Sequence, residues 1–466
     1  MSFLSRAGAW PALQFLVIPS EFSISSLSRS VNRYPAANPP KTRPAPPPFR
    51  RLLTVFPSGG RILFICGPDK PFSGPKIVCF ETGEGAQAHM IYLDNAATTR
   101  VCPEAARAAM AVMTEEFGNP SSRYAHGAAA AERLRADRAV VAAAVGCLPE
   151  ELTFTSCGTE GDNWAIRAAV EYGKRKGRHI ITTAIEHAAV LEPIRALANE
   201  GCEVTYLRPD RQGHIDPKDL AAALRPDTVL VSMMLVNNEL GTILPVKEAA
   251  EAIRAAGSPA LLHTDAVQAF LKVPFTPKDL GVDLLTISGH KVRAPKGIGA
   301  LYIRKGLKLK PLLLGGGQEN GLRPGTEPTA QIAALAAACQ AWMDHREAYT
   351  HRILEVKNHF LESFSAVLPQ GVVVSAGDAP HICAISLPGY PSEMLVRELS
   401  DRGICVSSGS ACHRGKPSHV FAATGRPKTE LMGTLRVSFS PESTPEEADA
   451  LVQALAEITS ARVSAR

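Results

Sequence analysis

From Met90 onward, short apolar runs alternate with Ala-rich stretches of helical character, and this alternation constrains the fold more than any other feature of the 466 residues. Strands are expected at 151–154, 179–183, 204–207, 229–235, 261–265 and 284–288, with helical segments such as 162–172 between most of them. Strands regularly followed by helices need crossover connections, which implies an α/β fold with a mostly parallel sheet and helices on both faces. In such sheets ligands gather at the carboxyl ends of the strands, so the residues found there carry the functional reading.

The large domain is expected to span 90–345, closed by an Ala-rich helix from about 329 to 343. A smaller C-terminal α/β domain, 346–466, should contain strands at 381–387 and 435–439 and a helix at 392–401. Its last helix is announced by Thr444-Pro445-Glu446-Glu447, in which Thr444 caps, Pro445 takes the first helical position and Glu447 completes a capping box.

Residues 1–89 have another texture. Pro35, Pro39, Pro40, Pro44 and Pro46 to Pro48 crowd one stretch, and six arginines from Arg6 to Arg51 face almost no acid before Asp69. Such a segment is expected to be disordered or non-native: an organelle transit peptide, a regulatory tail, or translated sequence upstream of a start at Met90, the reading favoured here. It holds ten Lys/Arg and four Asp/Glu, leaving 40 basic against 41 acidic residues in the remainder, so the net charge of +5 gives no support for nucleic-acid binding by the folded part. The ten cysteines contain no CxxC and no paired spacing, which points to free thiols in a reducing compartment, with a cytoplasmic location expected unless 1–89 is a genuine organelle signal. No run approaches the roughly 20 apolar residues that a bilayer span requires.

Candidate chemistry lies where strands end. Lys291 follows a strand through Ser288-Gly289-His290, and a lysine beside a cation and partly out of water can form an imine with an aldehyde. Ser156-Cys157-Gly158-Thr159-Glu160 offers small residues at a helix start, which suits a phosphate. Glu186-His187, Asn237-Asn238-Glu239 and His263-Thr264-Asp265-Ala266-Val267-Gln268 follow further strands, and a Gly-rich loop runs from Gly315 to Thr326. A phosphate turn, a ring-stacking histidine, an asparagine, an aspartate and a lysine at successive strand ends are the parts a pyridoxal phosphate site requires. Cys412, in a small-residue loop beside His413, Arg414 and Lys416, has the electropositive company that favours thiolate.

In this order the motifs resemble those of the NifS-like cysteine desulfurases, in the class V aminotransferase group of the fold type I pyridoxal phosphate enzymes: YLDNAATT at 92–99, GNPSS at 118–122, TSCGTEGDN at 155–163, EH at 186–187, VNNE at 236–239, HTDAVQ at 263–268, SGHK at 288–291, RPGTE at 323–327 and SSGSAC at 407–412. The resemblance implies a homodimer with pyridoxal 5'-phosphate as cofactor. It assigns the Schiff-base role to Lys291, the ring nitrogen to Asp265, the ring hydroxyl to Gln268, and ring stacking with proton transfer to His187. Gly158, Thr159, Ser288 and His290 would hold the phosphate, with Thr326 reaching across from the second subunit. Asn238 and Arg436 would address the substrate, Arg436 by pairing with its carboxylate, and Cys412 would accept sulfur from L-cysteine as a persulfide, releasing L-alanine. The sulfur would pass to an acceptor protein, an iron–sulfur scaffold or a tRNA thiolation enzyme, and selenocysteine lyase is the alternative activity. Three departures stand out: Cys157 replaces the usual glycine, the spacing from Cys412 to Val420 is shorter than in long-loop members, and Ser438-Phe439-Ser440-Pro441 replaces the common Ser-x-Gly-Arg.

Overall fold

Apolar side chains at consecutive positions of one strand must enter two different cores, because successive residues of a strand point to opposite faces. A computed structural model, which describes residues 51–55, 61–65, 78–81, 90–409 and 418–463, shows this arrangement at the centre of the molecule. Within residues 1–89, most of which lie outside the described ones, β1 (Arg51–Val55), β2 (Arg61–Ile65) and β3 (Val78–Glu81) form an antiparallel meander. These residues form a compact unit separate from Met90–Arg466.

In the second unit, β4 (Ile91–Tyr92) is followed by β5 (Leu152–Thr155), β6 (His179–Thr183), β7 (Glu203–Leu207), β8 (Thr228–Ser232), β9 (Leu261–Asp265), β10 (Leu284–Ser288) and β11 (Gly299–Ile303). The last seven make one sheet in the order β5-β11-β10-β9-β8-β6-β7. Within it only β11 runs against its neighbours. The mostly parallel α/β sheet inferred from the alternation is therefore what forms. Ile181, Val231, Leu262 and Leu285 enter one core, while their chain neighbours Ile180, Leu230, Leu261 and Leu284 enter the other, beneath Trp164, Ile166 and Ile194 of helices Gly158–Gly173 and Ala188–Asn199.

Three expected elements change. The run assigned to 229–235 leaves the regular ladder after Ser232: Met233 N and Leu235 N still donate to His263 O and Asp265 O, and the chain then turns at Asn237. β11 was not expected; it returns from the 3-10 turn Gly289–Lys291 to pair with β10, and Gly299 allows the close approach, since a Cβ there would lie 2.6 Å from Ile287 O. The helix expected at 329–343 runs from Thr329 to Val367, across the expected domain border, because no Gly or Pro interrupts those 39 residues.

Toward the C-terminus, β12 (Val372–Ser375), β13 (Ile382–Ser386) and β15 (Thr434–Ser438) form an antiparallel sheet, and β14 (Ile404–Cys405) pairs in parallel with β4. The segment after Met90 is thus tied to C-terminal elements: Leu93 N donates to Cys405 O and Asn95 N to Ser438 O. Helix Ser392–Asp401 has the bounds expected for it, and the capping box forms, with Glu447 N donating to Thr444 Oγ1 and Thr444 N to Glu447 Oε2. No helix among the described residues is long and apolar enough to cross a membrane.

Candidate active site

At the carboxyl ends of β5, β6, β8, β9 and β10 lies a cavity of about 430 Å³. Its wall takes Gly158 and Thr159 from the start of helix Gly158–Gly173, His187 from the cap of helix Ala188–Asn199, and Asn238 from the turn after β8. Asp265 ends β9, Gln268 follows it, and Ser288, His290 and Lys291 come from the end of β10 and the 3-10 turn beyond; Arg436 enters from β15. Of the residues singled out in the sequence, Thr326 does not line this cavity but lies exposed on the Gly-rich loop, and Cys412 lies outside the described residues.

Lys291 is held by backbone: its Nζ donates to Ala96 O and Ala97 O, each at 2.7 Å. Burial lowers its pKa to about 8, Arg436 assists, and Asp265 and Asp94 oppose the shift. His187 opens on to the cavity and accepts from Ala189 N through Nδ1 at 3.1 Å, so the neutral ring carries its hydrogen on Nε2. Crowding by surrounding protein lowers its pKa, against the pull of Asp265.

Three carboxyl groups lie buried behind these side chains. Burial raises Asp265, and Asp162 adds to the rise while His187 opposes it; Asp265 Oδ1 accepts from Val267 N at 2.9 Å. Burial pushes Asp162 to about 7, and its Oδ1 has no hydrogen-bond partner among the described residues. Burial also raises Glu186 to about 8, although it accepts from Thr183 Oγ1 at 2.7 Å and Met234 N at 3.0 Å. His263 Nε2 lies 3.5 Å from Asp162 Oδ1, yet burial lowers this imidazole to about 4, so it brings the carboxyl cluster no positive charge.

The phosphate-suited end has its own orphan. Ser288 Oγ is buried at the cavity without a partner among the described residues, and so is Asn238 Oδ1. Gly158 leaves space that a side chain would take, since a Cβ there would lie 2.9 Å from Val267 Cγ2. His290 pairs with Thr98 Oγ1 at 3.2 Å, and burial, with Lys291, lowers its pKa to about 4, which keeps it a neutral hydrogen-bonding group. Orphaned oxygens, a helix N-terminus and a buried carboxylate short of a counter-charge fit a phosphorylated, protonated pyridine.

Arg436 Nη1 donates to Asn238 O at 2.9 Å and Nη2 to Asp94 Oδ1 at 2.6 Å, while its buried Nε has no partner among the described residues. Asp94, Asp162 and the two alanine carbonyls went unassigned in the sequence. For Asp162 a signal existed, because it stands four residues after Gly158 and hence on the same helix face. Cys157 also lines the cavity, so a thiol does lie there.

The described residues just before the Cys412 segment reach the same cavity. Ser407 and Gly409 line it, and Ser407 N and O exchange hydrogen bonds with Arg436 O and N at 3.2 and 2.7 Å. On the far side, Ser418 Oγ donates to Glu239 Oε1 at 2.9 Å and His419 Nε2 to Glu186 O at 2.9 Å.

The aminotransferase class-V family model matches residues 91–451. The cysteine desulfurase of Trichormus azollae is 42% identical over 375 residues, covering 79% of this chain and 92% of that protein. A solved NifS-like protein superposes with a TM-score of 0.75 at 34% identity over 80% of this chain and 99% of its own. A solved structure described as SspA in complex with cysteine gives a TM-score of 0.65 at 32% identity over 76% and 99%. With its strand ends, its lysine and its buried aspartate arranged as above, the chain belongs to the aminotransferase class-V family, among the cysteine desulfurases.

Proposed function

We propose that this protein is a pyridoxal phosphate-dependent cysteine desulfurase, which takes sulfur from L-cysteine to give L-alanine and a persulfide on Cys412. The observation that carries this reading is the convergence of Lys291, Asp265 and His187 on one cavity whose far end is suited to phosphate. Pyridoxal phosphate would be held by Gly158, Thr159, Ser288 and His290 at its phosphate, Asp265 at its ring nitrogen and Gln268 at its hydroxyl. When bound, it supplies an electron sink that makes the Cα proton of an amino acid removable.

The chain's own groups do the rest. Lys291, with its lowered pKa, takes the Cα proton near neutral pH. His187, whose neutral ring carries its hydrogen on Nε2, supports ring stacking and proton transfer. Asn238 and Arg436 receive the substrate, Arg436 pairing with its carboxylate. Cys412 thiolate attacks the substrate sulfur; the S–S bond forms as the C–S bond breaks, and the electron pair of that bond leaves with the carbon, which is protonated to alanine.

A homodimer completes the site, with Thr326 of the second copy at the phosphate. Support comes from exposed Met110, Met113, Phe117, Tyr124 and Leu314, an apolar set that a monomer would leave in water. The persulfide sulfur then goes to an acceptor protein of the iron–sulfur scaffold or tRNA-thiolating type. Incubation of the purified chain with pyridoxal phosphate and L-cysteine should yield alanine and, at first turnover, one sulfur atom per chain by intact mass; no alanine would overturn the proposal. Faster turnover of selenocysteine with no persulfide formed would favour the lyase instead.

Arg436 gives a sharper check on the substrate. In Arg436→Lys, KM for cysteine should rise roughly ten- to a hundredfold, because a point charge replaces a planar two-donor fork. Cysteamine, which has no carboxylate, should be handled equally by both forms. Equal losses on both compounds would show a damaged site rather than a lost clamp.

A further inference from the structure

One fully buried group, in contact with the cavity-lining Gln268, is used by none of the roles above: His381. It immediately precedes β13, and its carbonyl oxygen accepts from Phe439 N at 2.9 Å, so the C-terminal sheet sets its backbone. Its side chain leaves that sheet and reaches Gln268, whose Oε1 lies 3.2 Å from His381 Nε2. The other end of the Gln268 amide is held as well. Nε2 donates at 2.9 Å to Ala96 O, the same carbonyl that receives Lys291 Nζ.

These contacts determine where the protons are. A carbonyl only accepts, so the amide nitrogen of Gln268 must face Ala96 O, and its oxygen faces the histidine. That oxygen also only accepts, so His381 Nε2 carries the hydrogen. The bare Nδ1 has no partner among the described residues. Burial, together with Lys272 beyond β9, Lys357 on the long helix, Arg436 on β15 and Lys291, holds His381 well below the ordinary histidine pKa. It is therefore a neutral donor near neutral pH. Ala96 alone would fix one edge of the amide; with His381 on the other, the second Nε2 hydrogen of Gln268 is left for the cavity that Gln268 lines.

We propose that His381 is a positioning residue, locking the Gln268 amide as a donor toward the cofactor ring hydroxyl and so tying the C-terminal sheet to the cofactor pocket. The inference rests on the reading of the cavity as a pyridoxal phosphate site. A donor aimed at the ring oxygen favours its ionised form.

The test uses the full-length chain loaded with pyridoxal phosphate. His381→Leu should retain the cofactor roughly three- to tenfold less tightly, the worth of one oriented hydrogen bond. It should also move the pH at which the bound cofactor's absorption changes to a higher value. Placed in Gln268→Ala, the same substitution should add nothing further. Native affinity and a native spectral transition in His381→Leu would overturn the proposal, as would an equal extra shift without Gln268. If the leucine variant does not fold, His381→Asn, smaller and still an N–H donor, serves in the same measurements: a smaller shift of the same sign is expected, and none, or one of opposite sign, overturns the proposal. Failure of the unsubstituted chain to bind pyridoxal phosphate at all would defeat the functional reading itself, which separates the two failures.

Discussion

Lys291→Ala should lower turnover of cysteine roughly a thousandfold, within the range lost when a positioned general base is removed. Two roles disappear together: the imine to the cofactor and the base at Cα. The structure shows why no neighbour replaces it. His290 points to Thr98, His187 is held through Nδ1 by Ala189 N, and Lys272 is buried, does not line the cavity and has its Nζ unpartnered among the described residues. The lysine amine is also pre-positioned, because Ala96 O and Ala97 O provide two acceptors fixed by the backbone. A pH dependence follows. Burial and Arg436 shift the lysine down to about 8, so with the amine free and substrate bound, turnover should rise with pH through about 8 as the ammonium gives up its proton. Arg436→Gln removes the cation that helps hold the lysine pKa down, so the same limb should move to higher pH. Single-turnover rates across pH, with and without a small primary amine added to Lys291→Ala, check both points. Recovery of rate with the amine is expected, and a flat profile in the native enzyme would contradict the assignment of the base.

The parts of this site that could be read from the sequence are those that lie a few residues beyond a strand. Asp265 and Ser288 end their strands, and His187 and Lys291 follow a strand within four residues, so one local pattern gave both element and role. What could not be read acts across distance. Ala96 meets Lys291 over 195 positions, and His381 meets Gln268 over 113, so no local period links either pair. The fold divides in the same way. Continuous apolar runs between turn residues marked the parallel strands, whereas β4 and β14, two residues each, carry no pattern and exist because they pair with one another. β11 begins on a glycine that its neighbours require and its own propensity disfavours. The long helix extends past its expected end because nothing stops it, and the change from alanine-rich to charged composition near residue 344 reflects a change of surroundings rather than of secondary structure.

Cys412→Ser should reduce sulfur transfer to background, with no sulfur found on the protein by intact mass after incubation with cysteine. The reasoning begins with the flanks. Gly409 lines the cavity with φ +93°, a conformation that favours glycine, and an added Cβ would lie 2.5 Å from Glu239 Oε2. The chain is therefore held at the cavity wall there, and Cys412, three residues further on, is within about 10 Å of that wall along an extended backbone. Ser418 and His419 bind back to Glu239 and to the carbonyl of Glu186, the residue before His187. A thiol on a segment whose two ends are fixed beside the reacting groups has a high effective concentration at the substrate sulfur. The rival is Cys157, which lines the cavity itself and needs no segment to bring it there. The two thiols differ in what lies around them. Cys157 caps a helix beside Ser156 Oγ at 3.6 Å, at the end suited to phosphate, whereas Cys412 stands in sequence beside His413, Arg414 and Lys416, cations that favour a thiolate and a departing persulfide. Cys157→Ser should therefore leave the sulfur count unchanged while weakening cofactor retention. Sulfur that persists on Cys412→Ser and disappears only when Cys157 is also replaced would move the acceptor role to Cys157.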